Sequence, residues 1–361
     1  MRPVLKRSSN LNYSPPATFT FSRAHAVAVQ SVLKLSGTSF PVQQCLDLWL
    51  RIILGDKSLG GSAGQQKQAE AAIKAKVLAA YKCAGVPLID ELGPFCSFCE
   101  TALPGLLEVE HCVPKSQYPT FALEWSNFLL ACSPCNKAKG ANPSRANVQN
   151  NWLSGSSANE QNFYDEIRKN HYVWADLDSR AYKAHPLQME FYDSSAAAWT
   201  VVPLSEAAAL DNSFHHAPGT CEVIANIVDP AVPGVPTYKK GSVRVTIVSG
   251  SWSRSDEMIE LCKLNECGNR QSTYDRRLQN RTKAWFDCLL NLRSYRIAER
   301  DPDPAAAKSS WAVLLRAATA LGFYSVWLTI LHWHDPLLAR RFVTDTNVPN
   351  YFPGTDVTNL P

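Results

Sequence analysis

Four cysteines in two close pairs, Cys96/Cys99 and Cys132/Cys135, bracket a segment that reads Glu110-His111-Cys112-Val113-Pro114-Lys115-Ser116. Each pair has CxxC spacing, and two such pairs supply the four thiolates of a closed tetrahedral zinc site. The remaining seven of the eleven cysteines (Cys45, Cys83, Cys112, Cys221, Cys262, Cys267 and Cys288) are scattered without any such spacing. Between the pairs, Glu110 and His111 place a carboxylate beside an imidazole. A neutral imidazole accepts a proton near pH 7, and a carboxylate holds a hard divalent cation, so the two together can support metal-assisted hydrolysis. The expected division of labour has zinc hold a small fold shut while a second cation works at Glu110 and His111. Cys112, next to the histidine, reads as a structural thiol, because metal-assisted hydrolysis needs no covalent intermediate.

Elements must then position these groups. Neighbouring residues of a regular strand point to opposite faces, so Glu110 and His111 reach one metal only if one of them sits at a strand end or a bulge. Ahead of the motif, Pro41 to Leu54 carries Val42, Cys45, Leu46, Leu48, Trp49, Ile52 and Ile53 at helical spacing, with Pro41 suited to a first turn. Gln65 to Ala84 predicts a second helix with Ala72, Val77, Leu78 and Tyr81 as its buried stripe, and the glycine- and serine-containing run 55–62 predicts the loop between them. Residues 1 to about 20, rich in Pro and Ser, predict an extended arm, and residues 142–159 predict a linker or surface loop. Further on, residues 199–203, 222–228 and 243–248 alternate like strands, whereas 255–265, 273–299 and 305–333 read as helices, the last broken near Gly322.

At 361 residues, 45% hydrophobic and 19% charged, the chain can bury a substantial core, which excludes a wholly disordered protein. A formal net charge of +4 permits nucleic-acid binding without arguing for it, so local basic clusters carry that case. The most apolar stretch, Trp311 to Leu331, is interrupted by Arg316 and predicts a core helix rather than a membrane span. No apolar signal region follows Met1-Arg2-Pro3, and the unpatterned cysteines fit reduced thiols, so a cytoplasmic location is expected.

The strings Cys-Ser-Phe-Cys at 96–99, Glu-Val-Glu-His-Cys-Val-Pro-Lys-Ser at 108–116, Trp-Ser-Asn-Phe-Leu-Leu-Ala-Cys at 125–132 and Cys-Asn-Lys-Ala-Lys-Gly at 135–140 together resemble the HNH endonuclease family. The resemblance implies a ββα-metal fold, in which a β-hairpin presents the acid-His pair and a following helix returns a metal ligand. It implies His111 as the general base, Glu110 as a ligand of the catalytic cation, Asn127 as the brace of the loop between the strands, and Asn136 as the second ligand. Asn136 departs from the histidine of the family name, though asparagine is also seen there. One carboxylate and one amide suit Mg²⁺ or Mn²⁺, with open positions for phosphate and water. Lys115 and Lys139 are expected on phosphates as point charges.

A wider and looser resemblance covers Ile259 to Asn265 and Arg276-Arg277, together with the placing of the motif after about 90 residues. It is similar to the HNH nuclease subunits of Septu-type and retron-associated anti-phage systems, and it implies DNA as substrate and an ABC-type ATPase as partner. Outside the motif, Lys239-Lys240 with Arg244, and Arg276-Arg277 with Arg281 and Lys283, form basic clusters. Arg277 and Arg281 lie one helical turn apart, which makes them candidate nucleic-acid contacts in a phosphate-facing stripe. The expected architecture is α+β: a helical region over 1–90, an HNH module stapled by four cysteines over 91–145, and a mixed, largely helical region over 146–361. Two other activities fit the same motifs: a non-catalytic zinc-stabilised binding module, and an HNH nuclease that cuts RNA.

Overall fold

Serine and proline open the N-terminal helices. In the structure, a computed structural model, residues 6, 12–105, 108–153, 159–177, 187–193, 198–202, 214–216, 223–228, 236–245, 253–266 and 275–345 are described. Strand β1 (Thr18–Thr20) precedes α1 (Arg23–Leu33), whose N-cap Ser22 accepts from the His25 amide. Strand β2 (Ser39–Pro41) pairs antiparallel with β1 and runs into α2 (Val42–Ile53), with Pro41 at its N-cap. Helix α3 (Ala63–Lys82) begins two residues earlier than the sequence predicts, because Ser62 and Gln65 form a reciprocal capping box. Its buried residues are Ala69, Ala72, Ile73, Val77 and Tyr81. Leu78, expected in that stripe, is 41% exposed and faces a cleft instead. A short helix, α4 (Gly85–Leu92), leads to the first CxxC pair.

The motif-bearing segment folds as a hairpin followed by a helix. Strand β3 (Glu108–His111) pairs antiparallel with β4 (Phe128–Ala131), with His111 opposite Phe128 and Glu110 opposite Leu129. Helix α5 (Ser133–Lys139) follows β4 after one residue and ends at Gly140, whose φ of 53° suits glycine. Every residue of β4 is buried, so the hairpin is a central element rather than an exposed ribbon.

One expectation for the flanks is corrected. The predicted linker contains α6 (Arg145–Asn151), capped by Ser144, and leads to α7 (Glu160–Asp165), which continues as a π-helical turn over Glu166–His171. Where it is described, the N-terminal arm is pinned to the rest of the fold. The Lys6 side chain is buried, paired with Asp176 at 3.4 Å, and the Tyr13 hydroxyl donates to Leu123 O at 3.1 Å.

Beyond α7, five antiparallel strands form one sheet: β5 (Leu187–Asp193), β6 (Ala198–Val202), β7 (Phe214–His216), β8 (Val223–Val228) and β9 (Pro236–Val245), in the order β6-β5-β9-β8-β7. The Lys239-Lys240 cluster and His215-His216 lie on strands whose side chains there fall outside the described residues. Helix α8 (Ser253–Cys262) packs on α5, and α9 (Arg277–Ala298) packs on β9. Helices α10 (Pro304–Leu321), α11 (Tyr324–His334) and α12 (Pro336–Thr344) complete the chain as described. The predicted break falls at Gly322 and Phe323, both with positive φ. Among the described residues no helix is long and apolar enough to cross a membrane. The architecture is α+β.

Candidate active site and metal centre

The four cysteines converge. Cys96 and Cys99 lie on a tight turn in which the Cys96 amide donates to Thr101 O and the Glu100 amide to Cys96 O, each at 2.9 Å. Cys132 is the N-cap of α5 and Cys135 sits in its first turn. The Ser97 amide donates to Leu130 O at 2.8 Å, which ties the first turn to β4. All four Sγ atoms lie within 4.8 Å of one another and all four residues are buried. Cys99 and Cys132 have their sulfurs 3.6 Å apart, close to the roughly 3.8 Å edge of a tetrahedron with Zn–S bonds of about 2.3 Å. The donor set fits a closed tetrahedral metal site.

His111 ends β3, which resolves the geometric demand posed by its neighbour Glu110. Its Nε2 lies 2.9 Å from Ala122 O. A carbonyl only accepts, so Nε2 carries the proton and Nδ1 keeps its lone pair. Nδ1 has no hydrogen-bond partner among the described residues. Tyr81 and Phe128 clamp the ring edge-on, with centroids at 4.7 and 5.1 Å. Burial, joined by the positive charges of Lys115 and Lys139, lowers the His111 pKa to about 3 against the opposing pull of Ala122 O. The imidazole is therefore neutral at physiological pH.

Asn127, fully buried, holds the loop that follows His111. Its Oδ1 accepts from the Val113 amide at 2.7 Å, and its Nδ2 donates to Val113 O and Phe121 O, both at 3.0 Å. Ala122, the histidine's partner, is the next residue after Phe121, so one amide side chain indirectly sets the imidazole's orientation.

Glu110 and Asn136 both line a cleft of about 390 Å³ that also reaches His111. Glu110 Oε1 accepts from Lys139 Nζ at 2.8 Å. Burial raises the Glu110 pKa, opposed by the charges of Lys139 and Lys115. Asn136 Nδ2 donates to Glu108, which leaves the Asn136 carbonyl oxygen as its ligand-type atom. Lys115 lines the same cleft, with its Nζ 4.9 Å from the centre of the Tyr81 ring. Across the cleft stand Trp49 of α2 and Lys74 and Leu78 of α3.

Three expected phosphate contacts are corrected. Lys139 has no exposed side-chain surface and neutralises Glu110, because the last turn of α5 faces the hairpin. Arg277 and Arg281 are 4% and 2% exposed. Their helix buries that face against β9 and the turn after α8, so they present no stripe to solvent.

Residues 96–142 match the HNH endonuclease family model. A 53-residue stretch is 40% identical to a curated protein of Bacillus thuringiensis named Septu protein PtuB, covering 14% of this chain and 21% of that protein. The chain thus spans about a fifth of that relative's length. No solved structure matches. The match coincides with the hairpin, α5 and both cysteine pairs, so the HNH-like segment is the part of the fold that carries the cluster and the cleft. Two of its functional contacts were missed in the sequence. Glu108 stands two residues before Glu110, and strand alternation could have placed both on one face. The Arg277 contact to Cys135, 142 residues away, has no local signal.

Proposed function

We propose that this chain is a metal-dependent HNH endonuclease that hydrolyses DNA phosphodiester bonds as the effector of a bacterial anti-phage system. The observation that carries this reading is His111: its Nδ1 is buried and unpartnered, Ala122 O sets its tautomer, and the residue lines a cleft together with Glu110 and Asn136. Cys96, Cys99, Cys132 and Cys135 would hold structural zinc, and Glu110 and the Asn136 amide oxygen would hold Mg²⁺ or Mn²⁺. A hard cation there, when bound, stabilises charge on the scissile phosphate and the leaving 3′ oxygen.

The chain's own groups supply the rest. With the negative charge of a bound phosphate in the cleft offsetting the burial and lysine charges that hold its pKa low, His111 Nδ1 accepts a proton from the attacking water, and the resulting imidazolium keeps its Nε2–H on Ala122 O. Asn127 fixes the loop so that neither bond reorients during turnover. Glu108 holds the Asn136 amide with its oxygen free. Lys115 at the cleft supports phosphate binding. Residues 1–90 would supply the opposite cleft wall, 91–145 the chemistry, and 146–361 the surface for an ABC-type ATPase partner, as in the systems this chain resembles.

Plasmid and phage DNA incubated with the purified protein and Mg²⁺ or Mn²⁺, with and without the products of neighbouring genes, should be cut, and folded His111→Ala should not cut. Intact DNA under all these conditions, or normal cutting by His111→Ala, refutes the proposal. Structured RNA digested in parallel identifies an RNA-cleaving enzyme. One observation favours a non-catalytic zinc-stabilised binding module: the Lys139 ammonium already occupies Glu110. That reading predicts an unchanged biological effect in His111→Ala and loss of fold in Cys132→Ser.

A further inference from the structure

Helix α9 brings two buried guanidinium groups to the four-cysteine cluster. Arg277 Nη1 donates to Cys135 Sγ at 3.1 Å and to Cys262 O at 2.6 Å, and Asp275 takes its Nε and Nη2 at 2.9 and 2.7 Å. Arg281, one turn on, donates only to neutral groups: Leu264 O at 3.1 Å, and Val243 O and Asn265 Oδ1 at 3.4 Å. Among the described residues Arg281 has no carboxylate partner, although it is buried. An unpaired charge in such a place is costly. Arg281 and Cys99 of the cluster line one small cavity together with Glu100, whose carboxylate accepts from the Ser325 amide and hydroxyl, and Arg277 repels Arg281.

Four neutral thiols cannot compensate a cation. Four thiolates around one divalent ion carry two net negative charges, and the cluster then faces both guanidinium groups. We propose that Arg277 and Arg281 are the counter-charges of a metal tetrathiolate at Cys96, Cys99, Cys132 and Cys135, so that metal binding locks α9 onto the hairpin module. This rests on the four-cysteine metal reading given above. Arg277 acts directly, through a hydrogen bond to a ligand sulfur, and Arg281 acts through its field. Thiolate sulfurs that accept such bonds hold their metal more tightly, and outer partners of this kind are typically worth about 10- to 100-fold in affinity.

The full-length protein is first assayed for zinc by elemental analysis and reconstituted with Co²⁺, whose thiolate charge-transfer bands report four-sulfur ligation. Zinc retention is then measured by chelator competition for wild type, Arg277→Met, Arg281→Met and Arg281→Lys. Both Met variants should release zinc at about 10- to 100-fold lower chelator concentration, and Arg281→Lys, which keeps the charge, should recover most of the difference. Folded Met variants with wild-type zinc affinity overturn the proposal. If the Met variants do not fold, hydrogen exchange of the wild-type protein decides. Exchange across residues 277–288 should rise when the metal is removed, and unchanged exchange overturns the proposal. A wild-type protein that binds neither zinc nor Co²⁺ refutes the four-cysteine reading itself. None of these readouts uses cleavage, so failure of the nuclease reading is separately visible.

Discussion

Replacing Asn127 by alanine should cripple catalysis while leaving the catalytic metal requirement unchanged. The side chain makes three hydrogen bonds at 2.7 to 3.0 Å inside a fully buried site, and truncation strands the Val113 amide and two carbonyls, Val113 O and Phe121 O. Losing three such bonds at about 1 kcal/mol each gives a destabilisation of about 3 kcal/mol, and more if water cannot reach the orphaned amide. Asn127→Asp should be worse, because it keeps the acceptor for Val113 N but turns a carboxylate oxygen toward two carbonyls. The His111–Ala122 bond lies on the same loop. A displacement of about 1 Å there should lower kcat about 100-fold. Neither Glu110 nor Asn136 bonds to Asn127, so the Mg²⁺ concentration for half-maximal rate should not move. Urea unfolding in the presence of zinc and single-turnover plasmid cleavage across a Mg²⁺ series measure these quantities. An Asp variant as stable as wild type, or an Ala variant whose lost rate is restored by extra Mg²⁺, would refute the assigned brace.

Four further outcomes follow from the contacts. Glu108→Ala frees the Asn136 amide to rotate, and should raise the Mg²⁺ requirement about 10-fold, with most of the rate recovered at saturating metal; an unchanged Mg²⁺ titration rules this out. Lys139→Met leaves Glu110 buried and unpaired, so it should cost about 3 to 5 kcal/mol, and a stable variant with only a reduced salt dependence of DNA binding would restore Lys139 as a phosphate contact. At Gly322, φ is 76° and an added Cβ would stand 2.2 Å from Glu100 O and 2.6 Å from the Ala102 amide. Gly322→Ala should therefore detach α11 from the first cysteine turn, read as new protease sensitivity near residue 322. Burial favours protonated Asp176, but the charges of Arg168 and Lys6 outweigh it and hold the pKa below the usual carboxylate value. Its folded pKa is the lower one, so its contribution is complete above the unfolded pKa of about 3.9 and is lost as pH falls through the folded value. Urea midpoints between pH 6 and pH 2.5 should fall less steeply in Asp176→Asn than in wild type; equal slopes would contradict the assignment.

Local chemistry was legible where spacing reflects one covalent neighbourhood. The CxxC pairs announce a metal-type cluster because a two-residue gap returns both sulfurs to one side of a tight turn. Strand alternation requires that Glu110 or His111 sit at a strand end or bulge, and Pro41 and Gly322 mark element ends through fixed φ and positive φ. Charge placement was far less legible. The one-turn spacing of Arg277 and Arg281 places them on one face of a helix but does not say whether that face meets solvent or protein. Lys139 looked like a phosphate contact because its ammonium could equally serve a backbone phosphate or a buried carboxylate.

The sequence by itself determined which groups are available: two CxxC pairs, an imidazole beside the Glu110 carboxylate, and the Asn127 and Asn136 amides within about 45 residues, in an order that resembles one nuclease family. The tertiary structure alone decided their states. It buries His111 so that it stays neutral, gives Ala122 the Nε2 proton, commits Lys139 to Glu110, and brings α9 across to face Cys135. Those outcomes depend on burial and on fields from residues as far as 142 positions away in the chain. A residue's identity fixes its chemistry, but its neighbours in space set its charge and direction.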